Sequence, residues 1–374
     1  MPGSATAYHV RLQPSGPRRG PSHTIRTYGT LERVNRASLA LPAIAVAALL
    51  ITACSSSEPT PTAPTPTAES TAQTTQTQAS SSADVYTLPG SGVFPEGITA
   101  DDGTFYVTST GDGAVFRGRL GTSELEVLLP GGADGRTGAA GIDVSDGGDG
   151  DDDVNRLVIA GGATGKVWVY DSMSGTLVGT FANGLGEEAT FLNDVVIADN
   201  GDAFVTDSRS PALFRIPAEQ VRDGAQDGPL EAFVDFTGSP FVYGEGFNAN
   251  GIVEVDDDAL VVAQSSTGNL YRIDVRSKEI TQVDLGGTTL SNADGLELDD
   301  DTLYVVRNRD GVIARVDLSD DGRSGRVVGE ITDASFAYPT TVAATEDRLL
   351  VVNSQFDKRG GEPVEPFTVS SIPE

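Results

Sequence analysis

The chain has 374 residues, of which 38% are hydrophobic and 44 are glycine, with 54 acidic residues against 25 basic ones and a net charge of −29. So much glycine excludes a helical bundle and points to an all-β body. The charge excludes nucleic acid as a partner, because such a surface repels phosphate and offers no basic stripe to neutralise it.

Reading from the N-terminus, Arg33 and Arg36 lead into an apolar run from Leu39 to Ile51. At about thirteen residues it is too short to span a bilayer and reads as the core of a signal peptide, residues 1–53. The stretch ahead of this core is long for a signal peptide, which makes a later translation start, with Val34 as a candidate initiator, an expectation of its own. Leu50-Ile51-Thr52-Ala53-Cys54 follows and resembles the lipobox of bacterial lipoproteins, in which small residues precede a cysteine that is acylated before cleavage. The resemblance implies a lipid on Cys54 and anchoring at the extracytoplasmic face of the cell membrane; the alternative is an ordinary secretory signal in which Cys54 is incidental. Both histidines, His9 and His23, and six of the basic residues lie upstream, so cleavage leaves a histidine-free chain with a charge near −34. A lone cysteine also rules out an internal disulfide.

Residues 54–83 consist of the cysteine and a Ser-, Thr-, Pro-, Ala- and Gln-rich segment with almost nothing apolar. Such a composition cannot bury enough surface to offset its ordering entropy, and we expect a disordered tether reaching roughly 30 Å.

Residues 84–374 repeat one unit six times. Its clearest mark is a strand of β-branched and aromatic residues: Phe105-Tyr106-Val107, Leu157-Val158-Ile159, Phe204-Val205-Thr206, Leu260-Val261-Val262, Leu303-Tyr304-Val305 and Leu349-Leu350-Val351. A further strand follows each of the first five, as in Lys166-Val167-Trp168-Val169-Tyr170. Ahead of each sits a signature: Pro95-Glu96-Gly97-Ile98, Ala139-Ala140-Gly141-Ile142, Leu192-Asn193-Asp194-Val195, Ala249-Asn250-Gly251-Ile252, Ala293-Asp294-Gly295-Leu296 and Pro339-Thr340-Thr341-Val342. Steps of 44, 53, 57, 44 and 46 residues between signatures fit the blades of a β-propeller. The expected fold is therefore a six-bladed β-propeller, with the segment from Asp84 to Leu88 as the outermost strand of the last blade, beside Phe367-Thr368-Val369.

In a propeller the first strands line the central channel, so equivalent positions converge. Here they hold Glu96, Ala140, Asn193, Asn250, Asp294 and Thr340. Two carboxylates and two amides form an oxygen-only set of the kind calcium accepts, without the nitrogen or sulfur that zinc and copper favour. The competing explanation is that Asn-Gly and Asp-Gly are turn dipeptides.

The order of these motifs, Glu in Pro-Glu-Gly, Asn in Asn-Asp, Asn in Asn-Gly-Ile and Asp in Ala-Asp-Gly-Leu, resembles the senescence marker protein/gluconolactonase/luciferin-regenerating-enzyme family of six-bladed propellers. Diisopropylfluorophosphatase and paraoxonase look like more distant relatives. The resemblance implies that Glu96, Asn250 and Asp294 bind a catalytic divalent cation, usually Ca2+, and that Asn193 serves the metal or the substrate. Asp194 matches the second position of the Asn-Asp pair, on the metal shell or in substrate binding through the electrostatics of the pocket. It also implies a hydrolase of small-molecule esters, most simply a lactonase, with an arylesterase or phosphotriesterase as variants. Asp294 is preferred as general base or nucleophile on the resemblance alone, with Glu96 as a ligand. A chain without histidine or thiol excludes a Ser-His-Asp triad and a thiolate nucleophile. A non-enzymatic surface propeller, binding a glycan, peptide or protein around a structural calcium ion, is the alternative function.

Lesser candidates are Arg117, Arg136, Arg307, Gln264, Phe191, Phe247 and Tyr338, expected near the channel mouth either as substrate contacts or as packing residues. The acidic run 149–153 reads as a solvated hairpin tip, since it lacks the Gly and the terminal Glu at the places where an EF-hand loop requires them.

Overall fold

The computed structural model describes residues 84–145, 155–223, 227–256 and 258–374. The leader, Cys54, the tether and the acidic run 149–153 lie outside the described residues.

Among the described residues six antiparallel sheets succeed one another along the chain, the second extended by a two-residue strand, Gly228–Pro229, that joins its outer edge in parallel. After β1 (Asp84–Thr87), the first blade holds β2 (Pro95–Asp101), β3 (Thr104–Ser109), β4 (Val115–Arg119) and β5 (Glu126–Leu129). The second holds β6 (Ile142–Val144), β7 (Arg156–Ala160), β8 (Lys166–Asp171) and β9 (Leu177–Ala182). The third has β10 (Leu192–Ile197), β11 (Ala203–Asp207), β12 (Ala212–Ile216) and, after the short strand β13 (Gly228–Pro229), β14 (Glu231–Asp235). The fourth has β15 (Ala249–Asp256), β16 (Ala259–Gln264), β17 (Asn269–Asp274) and β18 (Ile280–Gln282). The fifth has β19 (Ala293–Asp299), β20 (Thr302–Arg307), β21 (Val312–Leu318) and β22 (Gly325–Ile331). The last blade is β23 (Pro339–Thr345), β24 (Arg348–Asn353) and β25 (Thr368–Pro373), and β1 completes it by pairing with β25, Tyr86 opposite Val369. The N-terminal strand thus closes the ring as expected.

The first strands pack side by side around a closed circle, β2 against β6, then β10, β15, β19, β23 and back to β2. Hydrophobic clusters fill the wedge between each neighbouring pair of blades. Phe105 and Val107 face the last blade, with Leu350, Val352 and Phe367, while Tyr106 turns the other way to Ile159 and Trp168 of the second blade. Both faces of each blade are therefore buried, and this is why the second strands read as unbroken apolar runs rather than as alternating ones. The outer strands, such as β22 with its alternating partial exposure, carry no such signal.

Candidate active site at the mouth of the channel

Five of the six first strands carry the same irregularity at their signature. The ladder shifts register between Pro95 and Ile98, Leu192 and Val195, Ala249 and Ile252, Ala293 and Leu296, and Pro339 and Val342. A bulge of this kind bends the strand and re-aims a side chain, here that of the signature residue. Hydroxyls on the second strands take up N–H groups that the bulges free. Thr108 Oγ1 accepts from Gly97 N (2.8 Å) and donates to Ala140 O, and Thr206 Oγ1 accepts from Asp194 N (3.0 Å) and donates to Asn250 O (2.8 Å).

The glycines of the signature are not turn residues. Gly97, Gly251 and Gly295 lie within strands, and none of them, nor Gly141, has a positive φ. A Cβ on Gly97 would come within 2.6 Å of Ala140 O, on Gly141 within 2.5 Å of Asp194 Cα, on Gly251 within 2.4 Å of Asp294 O, and on Gly295 within 2.8 Å of Thr341 Cα. Each glycine lets its strand lie against the next around the axis. The turn-dipeptide explanation fails on this geometry.

Glu96, Asn193, Asn250 and Asp294 come together as expected, all buried and all lining one cavity of about 800 Å3. Two of their oxygens, Glu96 Oε2 and Asn193 Oδ1, are buried without a hydrogen-bond partner. The orientation of the amides follows from residues behind them. Asn193 Nδ2 donates to Ser208 Oγ (2.8 Å), whose own proton goes to Ala249 O (2.6 Å). Asn250 Nδ2 donates to Ser265 Oγ (2.9 Å) and to Asp294 Oδ1 (2.7 Å), and Ser265 Oγ donates to Ala293 O (2.6 Å). With the amide nitrogens committed, the amide oxygens are left for a ligand. Asn308 Nδ2 donates to the other oxygen of Asp294 at 2.5 Å.

Burial raises Glu96 well above the ordinary carboxylate range, and the charges of Asp294 and Asp194 push it further, against the opposing pull of Arg359. Burial likewise lifts Asp294 to about 7, despite the amide hydrogen bonds from Asn308 and Asn250. Two buried carboxylates in one cavity call for a cation or a proton between them. Among the described residues no three Asp, Glu, His or Cys side chains gather closely enough to hold a metal by themselves. A cation here would depend on the amide oxygens as well. The donor set, all oxygen and including two acceptors with no donor to satisfy them, fits a hard divalent ion such as calcium.

Asp194 does not line the cavity. Its carboxylate accepts from Val195 N (2.9 Å) and from Ile252 N on the next first strand (3.2 Å), so it touches neither substrate nor ion in the cavity and reaches the site only through its charge on Glu96. Of the lesser candidates, Phe191, Phe247 and Tyr338 line the cavity, whereas the other four do not. Arg136 is fully buried between the first two blades, donating to Gly113 O (2.5 Å), Pro130 O (3.1 Å) and the Tyr170 hydroxyl. Arg117 pairs with Glu126, Arg307 with Asp310 and Glu330, and Gln264 donates to Val242 O. Arg359, which the sequence did not single out, lines the cavity with its guanidinium against the rings of Phe94 (5.0 Å) and Phe356 (4.5 Å).

No family model and no curated protein matches the sequence. Solved structures do. The chain resembles the major allergen Mala s 1 of Malassezia sympodialis (14% identity, TM-score 0.56, 77% of this chain and 95% of that one). It also resembles a luciferin-regenerating enzyme (12%, 0.53, 78% and 95%) and the calcium-binding protein regucalcin of Agrobacterium tumefaciens (15%, 0.50, 74% and 89%). At these identities the likeness is one of fold: this chain is a six-bladed propeller.

Proposed function

We propose that the protein is a calcium-dependent hydrolase of small esters, with lactones as the simplest substrates, carried on a lipid at Cys54 on the outer face of a membrane. The observation that carries this reading is the pair of buried, donor-less oxygens, Glu96 Oε2 and Asn193 Oδ1, beside the fixed carboxylate of Asp294. The calcium-binding neighbour and the enzyme among the structural relatives support it.

Glu96, Asn193, Asn250 and Asp294 would hold the ion, which supplies charge to polarise the ester carbonyl. The remaining chemistry belongs to the chain. Asn250 and Asn308 hold the plane of Asp294, so that a lone pair of this carboxylate meets a water molecule at a fixed angle. Asp294 takes a proton from that water as its oxygen bonds to the carbonyl carbon. The acyl C–O bond then breaks, and the proton on Asp294 passes to the departing alkoxide, leaving a carboxylic acid and an alcohol.

Purified protein assayed against lactones, aryl esters and phosphotriesters, with calcium and with chelator, tests the proposal. Turnover that needs calcium and is lost in Asp294→Asn is expected. Inactivity across the panel, with Asp294→Asn changing only thermal stability and calcium affinity, would instead establish a binding propeller with a structural ion.

A further inference from the structure

The cavity has two unlike halves. Glu96, Asn250, Asp294, Asn308 and Arg359 make one polar side. Between Glu96 on β2 and Asn193 on β10, the second blade contributes Gly138, Ala139, Ala140, Gly161, Gly162 and Ala163, together with Thr137 and Thr164. This blade departs from the repeat at both positions that are polar elsewhere. Its signature residue is Ala140, and past its second strand stands Gly162 where the other blades carry Thr110, Ser208, Ser265, Asn308 and Ser354. The backbone of this wall is also committed. The N–H groups of Ala139, Ala140, Gly161 and Gly162 donate to Ser109 O, Ala160 O, Lys166 O and Leu192 O, and the Thr164 hydroxyl turns back to Gly161 O (2.8 Å). Phe191 and Phe247 continue the apolar surface outward, stacked edge to face at 5.0 Å. Phe191 is fixed there by its N–H, which donates to the buried carboxylate of Asp207 (2.9 Å).

We infer that the substrate carries an alkyl arm of several carbons, seated against Ala140, Gly162, Ala163, Phe191 and Phe247, with its ester group toward Glu96 and Asp294. The inference rests on the hydrolase reading and narrows its substrate class. A polyhydroxylated lactone would turn hydroxyls toward a wall with few donors or acceptors to spare, a loss of about ten- to hundredfold in binding for each one left unpaired. Each methylene laid on that wall is instead worth about two- to fourfold. A cavity of about 800 Å3 has room for such an arm beside the ester.

The test compares kcat/KM for p-nitrophenyl acetate, butyrate and octanoate and for δ-gluconolactone. The same protein is titrated calorimetrically with octanamide and with gluconamide. A rise of about two- to fourfold per methylene, and a fall of the octanoate-to-acetate ratio toward one in Ala163→Trp, would support the arm. Turnover that prefers gluconolactone, or that ignores chain length, would overturn it while leaving ester hydrolysis standing. Should no ester turn over, the hydrolase reading fails and the amides judge the arm alone. Octanamide binding at least tenfold tighter than gluconamide, and weakened by Ala163→Trp, supports it; equal or reversed affinities overturn it.

Discussion

Ser208→Ala separates the architecture of the site from its chemistry. Ser208 is fully buried and its Oγ makes two bonds, donating to Ala249 O and accepting from Asn193 Nδ2. Removing the oxygen strands one buried acceptor and one buried donor, each costing about 1–3 kcal/mol before relaxation. A net loss of about 2–4 kcal/mol, or roughly 4–8 °C in Tm, is expected. The second consequence concerns the cation. Without Ser208 the Asn193 amide is free to turn its NH2 into the cavity, and loss of such an outer support weakens metal binding about 10- to 100-fold. Ser354→Ala is the matched control, since the equivalent serine of the last blade donates to Tyr338 O (2.7 Å) and supports no signature side chain. Calorimetric titration of calcium into the wild type and both variants, with melting curves in chelator, reads the two effects apart. Ser354→Ala should lose stability and keep its affinity. Unchanged calcium affinity in Ser208→Ala, or an equal loss in Ser354→Ala, would refute the argument that the serine orients a ligand.

Calcium at about a hundred times its dissociation constant should stabilise the wild type by about 2.7 kcal/mol, and Asp294→Asn should abolish that shift in a melting experiment. Gly251→Ala would place a Cβ 2.4 Å from Asp294 O, so β15 and β19 must part; a loss of about 3 kcal/mol or more in urea unfolding is expected, with weaker calcium binding. Glu297 accepts from Ala344 N (2.9 Å), and burial, with the charges of Asp143, Asp299 and Asp194, lifts it from the ordinary 4.5 to about 8. The native state therefore keeps a proton that the unfolded chain has lost, and stability falls as pH rises from about 4.5 to about 8. Glu297→Gln should flatten that fall, gaining about 1–2 kcal/mol on the wild type at pH 8 relative to pH 5; parallel pH profiles for the two proteins would contradict it.

The sequence disclosed the fold through its buried parts. Leu157-Val158-Ile159 and its counterparts are apolar on consecutive residues because both faces of a blade are covered, and such runs stand out against acidic turns. The same logic hid the outer strands. Residues of β5 and β22 meet solvent on at least one face and look like the turns around them. The short helix Ala218–Asp223, inserted between β12 and β13, has one buried residue, Val221, and is too slight to show a period.

The site was legible for the same reason that it exists. Repetition makes a departure visible, and the residues that converge on the axis are those at which each repeat departs from its neighbours. What sequence could not separate was the use of two carboxylates one position apart in the repeat, because Asp194 and Asp294 look alike until the bulge decides which points inward. At Asp294-Gly295 the glycine takes the close approach to the next strand and the carboxylate turns to the cavity. At Asn193-Asp194 the amide takes the cavity, while the Asp194 carboxylate fills the contact between first strands and binds the N–H of Ile252. Asn308 and Ser208 belong to the same repeating position past the second strand, so a second register, read beside the first, would have exposed the supports of the site along with the side chains that line it. Arg359 alone has no counterpart in that register. It lies beyond the short 3-10 turn Phe356–Lys358, and only the closed ring brings it opposite Glu96.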